Sequence, residues 1–478
     1  MKKRLLLLMM LLTLALAQGG DLKARLEEGF RALNAGRYGE ATSIFEAVVA
    51  KDYKNFRAHL GLGLSYYKAG RLDEALFEFR QLTRLFPDRF EGWYNLGLVL
   101  VDQGRFKEAA DAFATAVQVG EKAGLDRAAL RPAYLGFAQA AMRLGQFDQA
   151  ANVLEKFYQK HGGDPEVDLL LARALHRSGR DEDAVPYLYE VLAQKPGDRE
   201  ATLLLADVYQ GLKLADRAFK VLERAIAEAK DEKDKAAFLF KKAALQVAGG
   251  QPADRALELI KEAVRLDPEE WRYRYEEGRL LLLLHRPGEA LEVFKAAYKL
   301  APEAPEILAG MAAAYDALGQ ADKAYRAAKL ALGLMEGEKP VALRFLLGKN
   351  AYLSGHTREA VEVLAGVVKE RADDPEAWTW YGLALYAQED YGQAAMALER
   401  AAELDPSPEV LFDLGAAYLA ARRFSDAERV FSRVVQAKPD WAEAWYNLGW
   451  ALKALGRDAE AKRAWKRAVE LGYKPAKG

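Results

Sequence analysis

An alanine recurs at a nearly fixed interval along this chain: Ala41, Ala75, Ala109, Ala150, Ala184, Ala218, Ala256, Ala290, Ala324, Ala360, Ala394, Ala427 and Ala461. The successive spacings are 34, 34, 41, 34, 34, 38, 34, 34, 36, 34, 33 and 34. Around each alanine the same local pattern returns, most clearly between Glu91 and Val119. Trp93, Leu96, Gly97 and Leu100 stand at three- and four-residue spacing and form one stripe of a helix. Gly104 ends that helix. Phe106, Ala109, Phe113 and Ala116 form the stripe of a second, and a tight turn at Gln103 to Arg105 folds the two together. Gly97 and Ala109 are expected where the two backbones approach most closely. One such hairpin cannot bury both faces, so each copy needs neighbours on either side.

The skeleton WYNLGLVL at Trp93, WTWYGLALY at Trp378 and WYNLGWAL at Trp445, with alanine, phenylalanine and alanine following, closes on a proline at Pro87, Pro196, Pro268, Pro302, Pro406 and Pro439. This resembles the tetratricopeptide repeat, in about thirteen tandem copies covering nearly all of the chain after residue 21. The resemblance implies an all-α fold: a right-handed superhelical solenoid of antiparallel helix pairs.

Residues 1–17 precede the repeats and read as a signal peptide. Lys2, Lys3 and Arg4 form a positive n-region, Leu5 to Ala17 an apolar run, and Ala15-Leu16-Ala17 a cleavage site ahead of Gln18. Thirteen residues at about 1.5 Å each reach about 20 Å, short of a hydrocarbon core of roughly 30 Å. The mature protein is therefore expected to be extracytoplasmic, periplasmic or secreted, with no stable membrane insertion. The chain contains no cysteine, which excludes disulfides, thiolate metal sites and cysteine nucleophiles.

Three joints interrupt the period, at 120–131, 230–235 and 333–340, each after three repeats. They suggest segments 18–126, 127–235, 236–338 and 339–478, the last with four repeats and a short frayed tail from Lys474. The first repeat carries Arg25 and Glu28 where later copies have an aromatic residue and a leucine, as a capping repeat should. Pro186 is expected near the first turn of its helix, where a missing N–H is tolerated.

Signs of chemistry are few. His59, His161, His176, His285 and His356 never stand at metal-ligand spacing, and no HExxH, phosphate loop or nucleophile elbow occurs. Gly61-Leu62-Gly63 belongs to a repeat helix. Acidic pairs such as Asp373-Asp374 are expected on a solvated face. No cofactor, metal or catalytic residue is assigned, and the chain is read as a non-enzyme. A formal net charge of −1, falling to −4 without the three cations of the n-region, gives no attraction to nucleic acid.

In tetratricopeptide proteins the first helix of each repeat lines a concave groove, through fixed repeat positions. Carried over, these give an apolar and aromatic stretch early in the chain that includes Tyr67 and Tyr94. A basic middle follows, with Arg143, Arg173, Arg177, Lys241, Arg272 and Arg279. The end is aromatic again: Phe345, Tyr352, Tyr386, Phe412, Tyr446 and Trp450. First-turn glutamates at Glu91, Glu166, Glu200, Glu306, Glu376, Glu409 and Glu443 suit the helix dipole. The resemblance implies a scaffold or adaptor that binds extended peptide segments of protein partners, in bacterial envelope assembly, pilus formation or secretion. The basic middle favours an acidic segment, and the aromatics leave a glycan-binding export scaffold as the alternative.

Overall fold

A computed structural model describes residues 21–474. Residues 1–17, read above as a signal peptide, and the end of the tail lie outside the described residues. Those that are described form helices and connecting turns with no strand, and they divide into two compact units meeting between Lys230 and Asp231, within the second joint.

In the unit ending at Lys230, the first helices of successive repeats are α1 (21–34), α3 (Phe56–Lys68), α5 (Phe90–Asp102), α7 (Arg127–Arg143), α9 (Pro165–Arg177) and α11 (Arg199–Gly211). The second helices are α2 (Tyr38–Lys51), α4 (Leu72–Leu85), α6 (Phe106–Lys122), α8 (Phe147–His161), α10 (Asp181–Gln194) and α12 (Ala215–Glu228).

In the unit from Asp231, the first helices are α13 (Glu232–Ala248), α15 (Trp271–Leu283), α17 (Pro305–Ala317), α19 (Val341–Leu353), α21 (Pro375–Ala387), α23 (Pro408–Ala420) and α25 (Ala442–Ala454). Their partners are α14 (Ala253–Leu266), α16 (Pro287–Leu300), α18 (Ala321–Leu334), α20 (Thr357–Glu370), α22 (Tyr391–Leu404), α24 (Phe424–Ala437) and α26 (Asp458–Glu470).

The pair is closed by its turn. Gly104 takes φ 72°, a left-handed conformation that costs glycine nothing. Its N–H donates to the Val101 carbonyl at 2.9 Å and that of Arg105 to Leu100 at 2.8 Å, so two orphan carbonyls at the end of α5 are satisfied. Four equivalent turns hold Lys213, His285, Glu389 and Arg422 at φ between 56° and 64°, where a side chain is strained.

The glycines of the first helices do a different task from the one their spacing suggests. A Cβ built on Gly97 would meet the ring of Phe113 at 2.7 Å, and one on Gly136 of the next repeat would meet the same ring at 2.7 Å. The space opened by the two glycines is filled by a phenyl ring from the second helix; the backbones are not themselves in contact there. Phe45 lies in the same way between Gly29 and Gly61, and Phe294 between Gly278 and Gly310. All three rings are fully buried. Each ring joins its own repeat to the following one, so the core is continuous along a unit although every hairpin is small.

Where the period lengthens, the extra residues enter the helices. Most helices have 13 or 14 residues, whereas α6, α7 and α13 have 17, so the first two joints add about a turn of helix beside them. At the third joint 335–340 forms a connection between α18 and α19. Pro186 is the sixth residue of α10, inside the helix and beyond its first turn. It leaves the carbonyl of Glu182 without its usual donor four residues on, contrary to the expectation of a harmless early position. In the first repeat Arg25 is exposed and pairs with Asp21 at 3.6 Å, and Glu28 is exposed. No helix of the described residues is long and apolar enough to cross a membrane.

Candidate binding groove

Within each unit, first helices of successive repeats touch one another: α3 with α5, α5 with α7, α7 with α9 and α9 with α11 in one, and every neighbouring pair from α15 to α25 in the other. Second helices make no comparable contact with each other among the described residues. A stack that is closer on one side than the other curves toward the closer side. The first helices therefore line the inner face of each unit, where the sequence placed its candidate residues.

In the unit ending at Lys230 that face carries Tyr67, Tyr94, Arg143, Arg173 and Arg177. The Tyr67 hydroxyl donates to Asp102 on α5 at 2.6 Å, and burial together with that carboxylate pushes the phenol up to about 12. Tyr94 stacks on Phe90 with centroids 5.6 Å apart and lies 5.9 Å from Phe113. Arg173 forms an ion pair with Glu200 of the next repeat, and the guanidinium of Arg177 lies 5.0 Å over Phe147. Arg143 is exposed.

The unit from Asp231 contains the remaining candidates. Arg272 pairs with Glu270 at 3.1 Å and lies 4.9 Å over Trp271, and Arg279 pairs with Glu276 at 2.7 Å. Lys241, on α13, is half-buried and also engaged. Three of the six cations of the positive middle, Arg173, Arg272 and Arg279, are thus paired with carboxylates. That offset weakens the argument for an acidic ligand.

From α19 onward the face is aromatic. Phe345 lies under the guanidinium of Arg371 at 5.5 Å. Tyr352 is tilted against Trp380 of the next repeat at 5.8 Å. Tyr386 meets Tyr391 edge-on at 5.1 Å, and Phe412 stacks on Trp441 at 4.6 Å with the planes 17° apart. Tyr446 packs on Tyr473 at 4.2 Å, and Trp450 meets Trp465 edge-on at 5.3 Å. Most of these rings spend one face on a neighbour. Tyr386 and Trp450 nevertheless expose 37% and 47% of their surface, and Leu353 and Leu283 expose 48% and 60%. These four large apolar side chains are exposed on the first helices α15, α19, α21 and α25.

Five polar or aromatic residues on this face escaped the positional reading. Lys349 pairs with Asp316 at 3.1 Å, Asn350 donates to the same carboxylate at 2.8 Å, and Lys349 also lies 5.6 Å from the Trp380 ring. Asp413, on α23, has its carboxyl pushed up to about 6 by burial. Trp380 and Asp413 share the repeat position one beyond the aromatic position used for the assignment. The two tryptophans of WTWYGLALY were the available signal.

No group of His, Cys, Asp or Glu among the described residues is arranged to hold a metal ion. A hollow of about 910 Å³ is bordered by α18, α19 and α20, lined by Lys329, Lys339, Arg344, His356, Arg358 and Glu359 among others.

Comparison with known proteins gives a consistent result. The profile of one tetratricopeptide repeat family matches residues 26–79, 135–199, 240–305 and 345–408. Further tetratricopeptide profiles match 88–159, 179–241 and 385–448, and 442–474. Similar curated proteins include the BBSome complex member BBS4 of Bos taurus, 26% identical over 46% of this chain and 42% of that protein. The Protein STIP1 homolog of Dictyostelium discoideum is 31% identical over 22% of this chain and 18% of its own length. Protein O-mannosyl-transferase TMTC1 of Homo sapiens is 27% identical over 41% of this chain and 22% of its own. The chain thus spans less than half the length of these relatives. Among solved structures, YrrB, described as a TPR protein with an unusual peptide-binding site, is 19% identical with a TM-score of 0.36, covering 42% of this chain and 99% of that one. The APC/C hetero-tetramer Cut9-Hcn1 is 15% identical with a TM-score of 0.37, covering 92% and 95%.

Proposed function

The chain belongs to the tetratricopeptide repeat family, and on that premise we propose that it is a non-catalytic scaffold which holds extended segments of protein partners on the inner face of its repeats. The observation that carries this reading is the exposure of Tyr386, Trp450 and Leu353 on the first helices α21, α25 and α19 of one unit. Large side chains exposed on a concave, otherwise well-packed surface are the usual anchors of a bound chain. An extended peptide can lay alternate side chains along such a row while its backbone stays accessible to the flanking polar groups.

The positive, apolar and small-residue pattern of residues 2–17 supports export, and an extracytoplasmic scaffold of this kind fits envelope assembly, pilus formation or secretion. A glycan ligand is less well supported. Sugar rings need open aromatic faces, whereas Phe412, Tyr352 and Tyr446 are each packed against another ring.

The reading is tested by pull-down from the source envelope with the wild-type chain and a Tyr386→Ala/Trp450→Ala variant. Partners recovered by the wild type and lost by the variant support it. Polysaccharide retained by the first and lost by the second would move the function to the glycan reading, and recovery of the chain in the cytosol would remove the export assignment.

A further inference from the structure

The hollow of about 910 Å³ at the third joint is a preformed opening. Glu359 ties α20 to α18: it accepts from the Tyr325 hydroxyl at 2.6 Å and from Lys329 at 2.8 Å. The His356 ring stacks on Tyr325 with centroids 4.3 Å apart. Two of the residues lining the hollow are helical glycines, Gly333 of α18 and Gly366 of α20. A Cβ on Gly333 would meet nothing within 4 Å, and one on Gly366 would meet Arg344 Nη1 at 3.7 Å and nothing closer. Gly97 and Gly136 make room for Phe113, but no packing inside the chain calls for these two. Glycine within a helix costs about 0.5–1 kcal/mol relative to alanine, and where no side chain of the protein needs the space it serves the approach of another molecule.

The donors around the opening indicate its chemistry. Arg344 is held in one direction, since its Nε donates to the Lys339 carbonyl at 3.1 Å and its Nη2 to Glu370 at 2.5 Å. Its Nη1, beside Gly366, donates to no group among the described residues. The side chain is only 23% exposed, so an acceptor placed there competes with little water. Lys339 and Arg358 also line the hollow, and their side chains have no hydrogen bond or ion pair among the described residues. Of the lining carboxylates, Glu359 is spent on Lys329 and Tyr325, which leaves Glu362 alone against those two free cations. Arg358 and Gly366 are eight residues apart on α20, about 12 Å at about 1.5 Å per residue. The positive charge is therefore spread along the hollow and not gathered at one point. Side chains four residues apart in an extended segment lie on one face at a separation of about 13 Å. Leu332, Leu347 and Val363, which also line the hollow, suit an apolar side chain of the same segment.

We propose that this hollow is a second binding site, which takes an extended protein segment carrying two acidic side chains four residues apart. One carboxylate meets Arg344 Nη1 over the bare face of Gly366, with Lys339 beside it, and the other meets Arg358. The site uses none of the inner-face residues assigned above and stands independently of that reading.

The experiment is peptide selection from a random display library on the full chain carrying Tyr386→Ala/Trp450→Ala, so that ligands of the inner face are not recovered. Selected peptides are synthesised with each acidic residue replaced in turn by glutamine. Their affinities are measured for the wild type, for Gly366→Leu, which fills the opening, and for Arg358→Gln. The expected result is enrichment of acidic pairs at a spacing of four, with binding weakened about tenfold or more by either variant. Glutamine at one of the two acidic positions should cost about tenfold on the wild type and little further on Arg358→Gln, because a double-mutant cycle removes the pair only once. Arg358 has no partner in the chain to lose, and hydrogen exchange of α20 checks that both variants keep the helix intact. Selected peptides without an acidic pair, or peptides bound equally by Gly366→Leu, would overturn the assignment. So would failure to select any peptide, including the case in which dextran sulfate alone is retained by the wild type and lost by Gly366→Leu. None of these results bears on Tyr386 and Trp450, so the inner-face reading stands or falls by its own pull-down.

Discussion

Replacing Gly136 by alanine should loosen the joint between the third and fourth repeats although alanine is the better helix former. The new Cβ would lie 2.7 Å from Cζ of Phe113, when ordinary contact is about 3.4–4 Å, so the two must part by about 1 Å. Phe113 has no room to yield. It is fully buried, and Cε1 of the same ring already stands 2.7 Å from where a Cβ on Gly97 would be. Overpacking of a tight core costs about 1–3 kcal/mol, and the helix propensity of alanine over glycine returns about 1 kcal/mol, leaving a net loss of about 1 kcal/mol and at most about 2. Unfolding of a repeat array is not a single transition, so the readout must be local. Hydrogen exchange of peptides covering α6 and α7 should show protection reduced roughly 5- to 30-fold, the factor corresponding to 1–2 kcal/mol. Gly366→Ala is the control. It lies in α20, where the nearest atom to a new Cβ is Arg344 Nη1 at an ordinary 3.7 Å, and should gain about 0.5–1 kcal/mol. If Gly136→Ala increased protection as Gly366→Ala does, the shared phenylalanine slot would not be the element that couples repeats.

Three further expectations follow from particular residues. Arg422→Gly and Glu389→Gly should each stabilise their turns by about 1 kcal/mol, since φ 59° and 64° are left-handed positions that glycine adopts without strain; unchanged exchange in α23 and α21 would count against this. Asp168 is fully buried on α9, and burial, aided by the neighbouring Glu190 and Asp164, holds its carboxyl up to about 7 against an ordinary 3.8. The native state therefore keeps a proton that the unfolded chain has released. Stability is greatest below about pH 4 in this respect and is lost as pH rises to about 7, by up to about 4 kcal/mol. Asp168→Asn should abolish that slope in exchange measurements on α9, and a variant with the wild-type slope would refute the assignment. Tyr67→Phe should leave Asp102 without its 2.6 Å donor and cost about 1 kcal/mol, visible as faster exchange in α3 and α5.

The hairpins were legible in the sequence because what makes them is local. The three- and four-residue stripes, the glycine after Leu100 and the prolines between repeats act within one turn or one loop. The inner face was legible only as a set of positions. Which of those side chains stay free depends on partners about one repeat away: Tyr67 finds Asp102 after 35 residues, and Lys349 finds Asp316 at a separation of 33. Arg173 and Arg279 looked like a basic surface because Glu200 and Glu276 were read only as residues suiting a helix dipole or not read at all. Asp413 was overlooked for the complementary reason. A single acid on an amphipathic helix looks solvated until the fold shows it half-buried. The glycines were legible as close approaches, but the atoms approaching them, the Phe113 ring among them, come from a different helix.

The central claim, that a peptide lies along the first helices of the unit from Asp231, is met most directly by site-specific photo-crosslinking. A photoreactive phenylalanine analogue is placed in turn at Tyr386, at Trp450 and at Met396, a residue of the second helix α22 with 66% of its surface exposed. Each chain is mixed with a peptide selected on the wild type, and the adducts are mapped by mass spectrometry. Adducts from Tyr386 and Trp450, with none from Met396, are the predicted result. Adducts from Met396 without those from the inner face would place the ligand on the opposite side of the repeats and contradict the account.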